Sequence, residues 1–162
     1  MPAQTSYSTE HAPAYEGMKA STSEVYNSRS YFAEGGNILP GRAVVYGTDG
    51  EKQVTLPAID SADADITGVT QYELNRVHTD AGIPENEGRP LSIVNQGPLW
   101  VRAINGAAVG DPVHVVINVA GGEELGGFRS AAETTNTVLM AGAKFISTAA
   151  AGELAKIALN RA

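Results

Sequence analysis

Histidines, clustered aspartates and paired glycines are the residues of this 162-residue chain whose types could support chemistry. A metal site needs imidazole or carboxylate ligands that converge on one point, and short ligand spacings are its sequence mark. His11, His78 and His114 lie far apart and share no such spacing. His114 falls on the polar face of an alternating run, where a solvated imidazole is expected. Asp60, Asp63 and Asp65 form D-x-x-D-x-D, which offers the hard oxygen ligands that calcium takes. The order and the distal Glu of an EF-hand loop are missing, so a solvated acidic loop is the expectation. Serines and threonines are plentiful, but no G-x-S-x-G elbow accompanies them. The pairs Gly35-Gly36, Gly121-Gly122 and Gly126-Gly127 lack the Lys-Ser/Thr of a phosphate loop and open no helical pattern. They read as turns that use the left-handed backbone open to glycine. No carboxylate pair sits in a setting that would drive two pKa values apart. The expectation is a protein that is not an enzyme, with no catalytic residues, no cofactor and no metal.

The elements around these residues are strands. Pro90 to Val119 reads PLSIVNQGPLWVRAINGAAVGDPVHVVINV. Leu91, Ile93 and Asn95 alternate with Ser92 and Val94, and Asn95-Gln96-Gly97-Pro98 breaks the run as a turn. Leu99, Val101 and Ala103 then share one face, opposite Trp100, Arg102 and Ile104. After Asn105-Gly106 and Gly110-Asp111-Pro112, the run Val113, Val115, Ile117 and Val119 alternates with His114, Val116 and Asn118. Period-two alternation punctuated by Gly, Asn and Pro predicts an antiparallel meander. Further strands are expected at Gly41 to Tyr46, Gln53 to Leu56, Ile66 to Tyr72, Val138 to Met140 and Ala143 to Ile146. Ala58 to Asp65 and Asn75 to Arg89 read as loops, and Phe128 as the start of another. The ending AAAGELAKIALNRA has the Ala content of a helix. Gly152 inside it would cost a helix about 1 kcal/mol relative to Ala, and a hairpin turning at Gly152-Glu153 is preferred. Ala155, Ile157 and Leu159 would then share a strand face.

Composition agrees with thin sheets and many turns: 43% of residues are apolar, only 6% are aromatic, and Gly is abundant. Cysteine is absent, which excludes disulfides and thiol chemistry. The formal charge of −7 and the lack of a basic run argue against nucleic acid, whose binding draws on Lys and Arg. No apolar run approaches the roughly 18 residues of a membrane span, and the beginning of the chain has no signal-peptide pattern. Residues 1–34 differ from the rest, being rich in Ser, Thr, Ala and Tyr without lasting periodicity. Tyr7, Tyr15, Tyr26, Tyr31 and Phe32 make up half of the chain's aromatic residues. Such a segment cannot by itself offset an ordering cost of about 1–2 kcal/mol per residue. It is expected to be an extended arm held by a neighbouring subunit, the alternative being packing on its own domain, with a β-barrel domain over 35–162.

Four segments also carry a resemblance. Gly41-Arg42-Ala43-Val44-Val45, Ile66-Thr67-Gly68-Val69, Gly97-Pro98-Leu99-Trp100-Val101-Arg102-Ala103 and Val109-Gly110-Asp111-Pro112-Val113 stand in the order found in tailed-bacteriophage capsid cement, or decoration, proteins. The closing Ala151 to Leu159 is similar to that family's last strand, and the likeness runs from Asn37 to Asn160. It implies an all-β fold, a small antiparallel β-barrel or sandwich preceded by the extended arm. It further implies a virion protein, made in the host cytoplasm, that binds the outer capsid surface and clamps neighbouring major capsid protein subunits. A homo-oligomer follows, a trimer being preferred to a dimer because three-fold junctions join three capsomers and closed symmetry hides strand edges. Candidate interface residues are Tyr7, Tyr15, Tyr26, Tyr31 and Phe32 of the arm and Leu99, Trp100 and Val101 of the body. The alternative is a ligand- or receptor-binding β-module of a phage tail, or another minor virion component.

Overall fold

The alternation that starts at Pro90 runs through Asn95–Pro98 without reversing. In the computed structural model, which describes residues 14–73, 89–119 and 123–161, Pro90–Ala103 is one fourteen-residue strand. At about 3.3 Å per residue it spans roughly 45 Å. The expected turn fails because both halves of this strand are paired on both sides, so the chain gains more by continuing than by folding back. Gly97 absorbs the irregularity with φ +114°, and the Tyr26 ring occupies the space where a Cβ would stand, 2.5 Å from it.

Nine strands are described: β1 (Asn27–Ala33), β2 (Ala43–Tyr46), β3 (Gln53–Thr55), β4 (Ile66–Thr70), β5 (Pro90–Ala103), β6 (Pro112–Val116), β7 (Phe128–Arg129), β8 (Thr137–Phe145) and β9 (Glu153–Asn160). A single 3-10 turn, Asp63–Asp65, precedes β4. The fold is all-β, as expected from the periodicity. The strands expected at Val138–Met140 and Ala143–Ile146 join in β8, which ends at Phe145, and Phe128, expected in a loop, opens the short β7. The closing segment is a hairpin strand, not a helix, with Ala155, Ile157 and Leu159 buried on one face.

Pairing order explains why β5 is long. Its first half pairs with β1 and β4, and β1–β3–β2–β4–β5 closes on itself through β5–β1. Its second half pairs with β9 and touches β7, so β5–β7–β6–β8–β9 closes a second five-stranded ring. The two barrels share β5 as a common stave, and each described strand has neighbours on both sides. Tyr31, Ala33, Ile38, Val44, Val54, Leu91 and Ile93 form the core of the first barrel. Leu99, Val101, Val113, Val115, Phe128, Met140, Phe145 and Ile157 anchor the larger core, which also takes Val45, Val69 and Val94 from the other face of the first barrel's strands. Full burial of each such side chain contributes about 1.5–3 kcal/mol.

The boundary expected at residue 34 does not coincide with the strands. Asn27–Ala33 is a stave of the first barrel, because Tyr31 and Ala33 supply the apolar alternation that closes it. Residues 1–13, with Tyr7 and His11, lie outside the described residues, as do His78 and most of the expected loop from Asn75 to Arg89.

Candidate interaction surface

The segment before β1 is held against its own chain by backbone bonds. Gly17 N donates to Trp100 O at 2.7 Å, Trp100 N to Met18 O at 2.9 Å, and Ala20 N to Pro98 O at 3.0 Å. Tyr72 N donates to Gly17 O at 2.8 Å. Glu16 adds charge to this hold: it accepts from Arg42 Nη1 at 2.6 Å and from Arg102 Nε at 2.7 Å. Arg42 also pairs with Glu124. Its side chain is only 9% exposed, so it needs those partners: an unpaired buried guanidinium costs several kcal/mol. This cluster escaped the sequence reading because its members are far apart along the chain and each has an ordinary surface composition around it.

The candidate interface residues separate by burial. Tyr15 is 59% exposed and stacks on Tyr72, with ring centroids 5.2 Å apart. Phe32 is 45% exposed on the outer face of β1. Tyr26 is committed within the chain: its hydroxyl donates to Pro98 O at 2.7 Å and accepts from Ser21 N at 3.0 Å. Desolvation raises its pKa, and Lys19 Nζ lies 4.7 Å from its ring centre. Tyr31 is buried and meets Tyr46 edge-on at 6.3 Å. Leu99 and Val101 have no exposed surface and belong to the core, since β5 alternates inward there. Trp100 is the outward member of that trio, half-buried beneath Lys156, whose Nζ lies 4.9 Å from its ring centre. Met18, 41% exposed, follows directly beside it. Tyr15, Met18 and Trp100 therefore share one outer region, built by the segment before β1 together with β5.

Two of the three clustered aspartates have structural partners. Asp63 Oδ1 accepts from Ala141 N at 2.9 Å and from Arg161 Nη1 at 2.7 Å, and Asp65 Oδ2 accepts from Ala62 N at 2.8 Å. Both aspartates thus hold the turn before β4, and the loop is not simply solvated. Among the described residues no three His, Asp or Glu side chains converge as metal ligands. His114 differs from the solvated imidazole expected. It is half-buried opposite Arg129 and Leu139, its Nδ1 is enclosed without a hydrogen-bond partner, and desolvation lowers its pKa. Glu34 is held below the usual carboxylate range by the Thr48 hydroxyl and backbone N–H, which donate to it at 2.6 and 2.7 Å.

This architecture and sequence have relatives. A family model described as "Structural cement protein (E217 gp24/Pam3 gp6)" matches residues 3–160. No curated protein matches the sequence. Among solved structures, a chain from "The capsid of Myoviridae Phage XM1" superposes with a TM-score of 0.73 at 16% sequence identity, covering 99% of this chain and 98% of that one. At that identity the likeness concerns the fold. The family match spans nearly the whole sequence, and the chain belongs to the phage structural cement protein family, a capsid component of the virion.

Proposed function

We propose that this chain binds the outer surface of the phage head and clamps neighbouring major capsid protein subunits, acting as a homotrimer and catalysing no reaction. The observation that carries the reading is the outward group Tyr15, Met18 and Trp100, supported from behind by a segment bonded along β5. Aromatic and Met side chains on a firm backing are the kind of anchor that concentrates binding energy in protein interfaces. The charge of −7 favours the outer shell, away from packaged DNA.

Clamping is a matter of area and multiplicity. A standard interface buries about 1,600 Å² in total, and an oligomer gripping several capsomers gains roughly 10²–10⁴ in avidity through effective concentration. Disruption of the shell then requires many contacts to break together. Closure of both barrels leaves no open edge among the described strands, so hiding such edges is not a reason for the trimer. The reason that remains is geometric, the three-fold junction of capsomers. Contacts would be made by side-chain surfaces, not by strand addition.

The test adds purified protein to expanded empty capsids and reads three quantities: copies bound, oligomeric mass by light scattering, and the temperature of capsid disruption. Hundreds of copies and a higher disruption temperature are expected. Absence of binding, or binding with no shift in that temperature, would refute clamping. A protein that is monomeric both in solution and on the shell would remove the trimer.

A further inference from the structure

The outer face of an antiparallel barrel is ordinarily polar, and on one side of the second barrel it is not. Strand register identifies the residues. Trp100 pairs with Lys156 and Pro98 with Ala158 across β5 and β9, and Lys144 pairs with Ala158 across β8 and β9. That last ladder continues one step past Phe145, where Ile146 N donates to Lys156 O at 2.8 Å. On the other side of β5, Lys19 bridges Leu99, which sets Met18 beside Trp100 and Ala20 beside Pro98. Residues directly opposite one another in antiparallel pairs share a face. Met18, Trp100, Lys156 and Ile146 therefore form one row across four chain segments, about 14 Å long at roughly 4.8 Å per strand spacing.

The row is open to solvent and largely apolar. Met18 and Ile146 are each about two-fifths exposed, and Trp100 is half-buried beneath the Lys156 ammonium. Lys156 stands between Trp100 and Ile146, where its methylene stem continues the apolar row and its head stays at the surface. The neighbouring row is low, with Ala20, Pro98 and Ala158, and ends on the exposed Lys144. Contiguous apolar surface rimmed by charge marks a contact site. The charge here has a definite sign. Glu16, the carboxylate placed beside this face, is committed to Arg102 and Arg42. Lys144 and Lys156 make no ion pair among the described residues. In a chain whose carboxylates outnumber its cations 18 to 11, two free ammoniums beside an apolar row are complementary to an acidic surface.

The occupant follows from these two features. A second copy meeting this face about a two-fold axis would set the lysines of both copies against each other, and like charges across an interface are costly. Nucleic acid would meet the repulsion of a chain of −7. An acidic protein surface suits both the apolar row and the lysines. We propose that this face docks on an acidic surface of the capsid shell, with Met18, Trp100 and Ile146 in apolar contact and Lys144 and Lys156 on carboxylates at the rim. The proposal rests on the clamping reading and adds to it the sign of the surface gripped, together with Ile146 and the two lysines.

The test measures binding of the full-length protein to expanded empty capsids at rising salt, with the parent and four variants. Parent affinity should fall as salt screens the lysines. Lys144→Glu and Lys156→Glu should each weaken binding at least about tenfold, because each sets a carboxylate against an acidic surface. Ile146→Ser should weaken it as well. Lys52→Glu changes the net charge equally at an exposed site beside Asp49 and should leave binding unchanged. Lys156→Glu gives up its contact with Trp100, so the exposed Lys144→Glu keeps the test decisive should the former lose stability. An equal loss in Lys52→Glu, or affinity indifferent to salt, would overturn the proposal. So would a change in the solution oligomeric mass of Lys144→Glu, which would place the face between copies. A single-stranded oligonucleotide that binds the parent and not Lys144→Glu would make it a nucleic-acid site instead. A parent that binds capsids while Lys144→Glu and Ile146→Ser bind as tightly overturns this face and leaves the clamp standing. A parent that leaves capsids unbound sinks the clamp and this docking together.

Discussion

Replacing Gly17 with Ala should release the segment that backs the outer aromatic group while leaving both barrels closed. Gly17 has φ +78°, and an added Cβ would lie 2.7 Å from Gly41 N and Thr70 O and 2.9 Å from Tyr72 N. All three are backbone atoms, so no flexible side chain can yield. The left-handed backbone alone costs a non-glycine residue about 1–2 kcal/mol, and the contacts add to it. The segment can escape only by leaving the surface, which gives up four backbone bonds: Gly17 to Trp100, Tyr72 to Gly17, Trp100 to Met18 and Ala20 to Pro98. At about 0.5–1.5 kcal/mol each, these bonds contribute about 2–6 kcal/mol to docking, and the loss of Glu16 from Arg42 and Arg102 adds to that, while the β5–β9 ladder is untouched. Native-state hydrogen exchange reads this directly. The Trp100 and Tyr72 amides should exchange at least about 30-fold faster, the equivalent of about 2 kcal/mol, while amides of β9 keep their protection. Unchanged protection at Trp100 would refute the reasoning, and so would uniform loss across the sheet, which would mean the segment and the barrels unfold as one unit.

Two further substitutions separate core from surface on β5. Leu99→Ala should destabilise the protein by about 2–5 kcal/mol in denaturant unfolding, because Leu99 is fully buried. Trp100→Ala should leave a folded protein whose capsid binding is weaker by about 2 kcal/mol or more; an equal loss of folding stability in both variants would place Trp100 in the core. The enclosed imidazole of His114 predicts an acid-sensitive stability. Its pKa in the folded state lies below the reference of 6.5, so the unfolded chain binds the proton first. Stability is then full above about 6.5 and falls as pH drops from there towards the folded pKa. His114→Gln should flatten that part of the stability profile measured by denaturant titration at successive pH values, and an unaltered slope would show that other groups produce it.

The shape of the assembly problem changes once both barrels are closed. A single open sheet would have needed a partner to cover its edges, and its own copies would have been natural candidates. Here β5 supplies a partner on each side for both rings, and the remaining surface is side chains. Interface specificity then depends on which residues point outwards, and that differs between neighbours: Tyr31 is inside and Phe32 outside, Leu99 inside and Trp100 outside.

Strand identity was legible in the chain wherever alternation and turn residues agreed. Leu99, Val101 and Ala103 on one face, the hairpin at Gly152-Glu153, and Ala155, Ile157 and Leu159 as a buried row all follow from period two, a local property. The family likeness rests on the order of those strands and turns. Tertiary structure alone decided whether Asn95–Pro98 would reverse the chain, because a turn and a bulge use the same residues and only the partners on either side distinguish them. It also decided that Asn27–Ala33 is a barrel stave, since a strand with only Tyr31 and Ala33 buried needs a ring to close before its alternation has meaning. The meeting of Glu16 with Arg42 and Arg102 had no local signal at all. These residues stand on separate elements, 26 and 86 positions apart in the chain, and their meeting depends on a register set by the cores on both faces of a strand, which no short stretch of sequence contains.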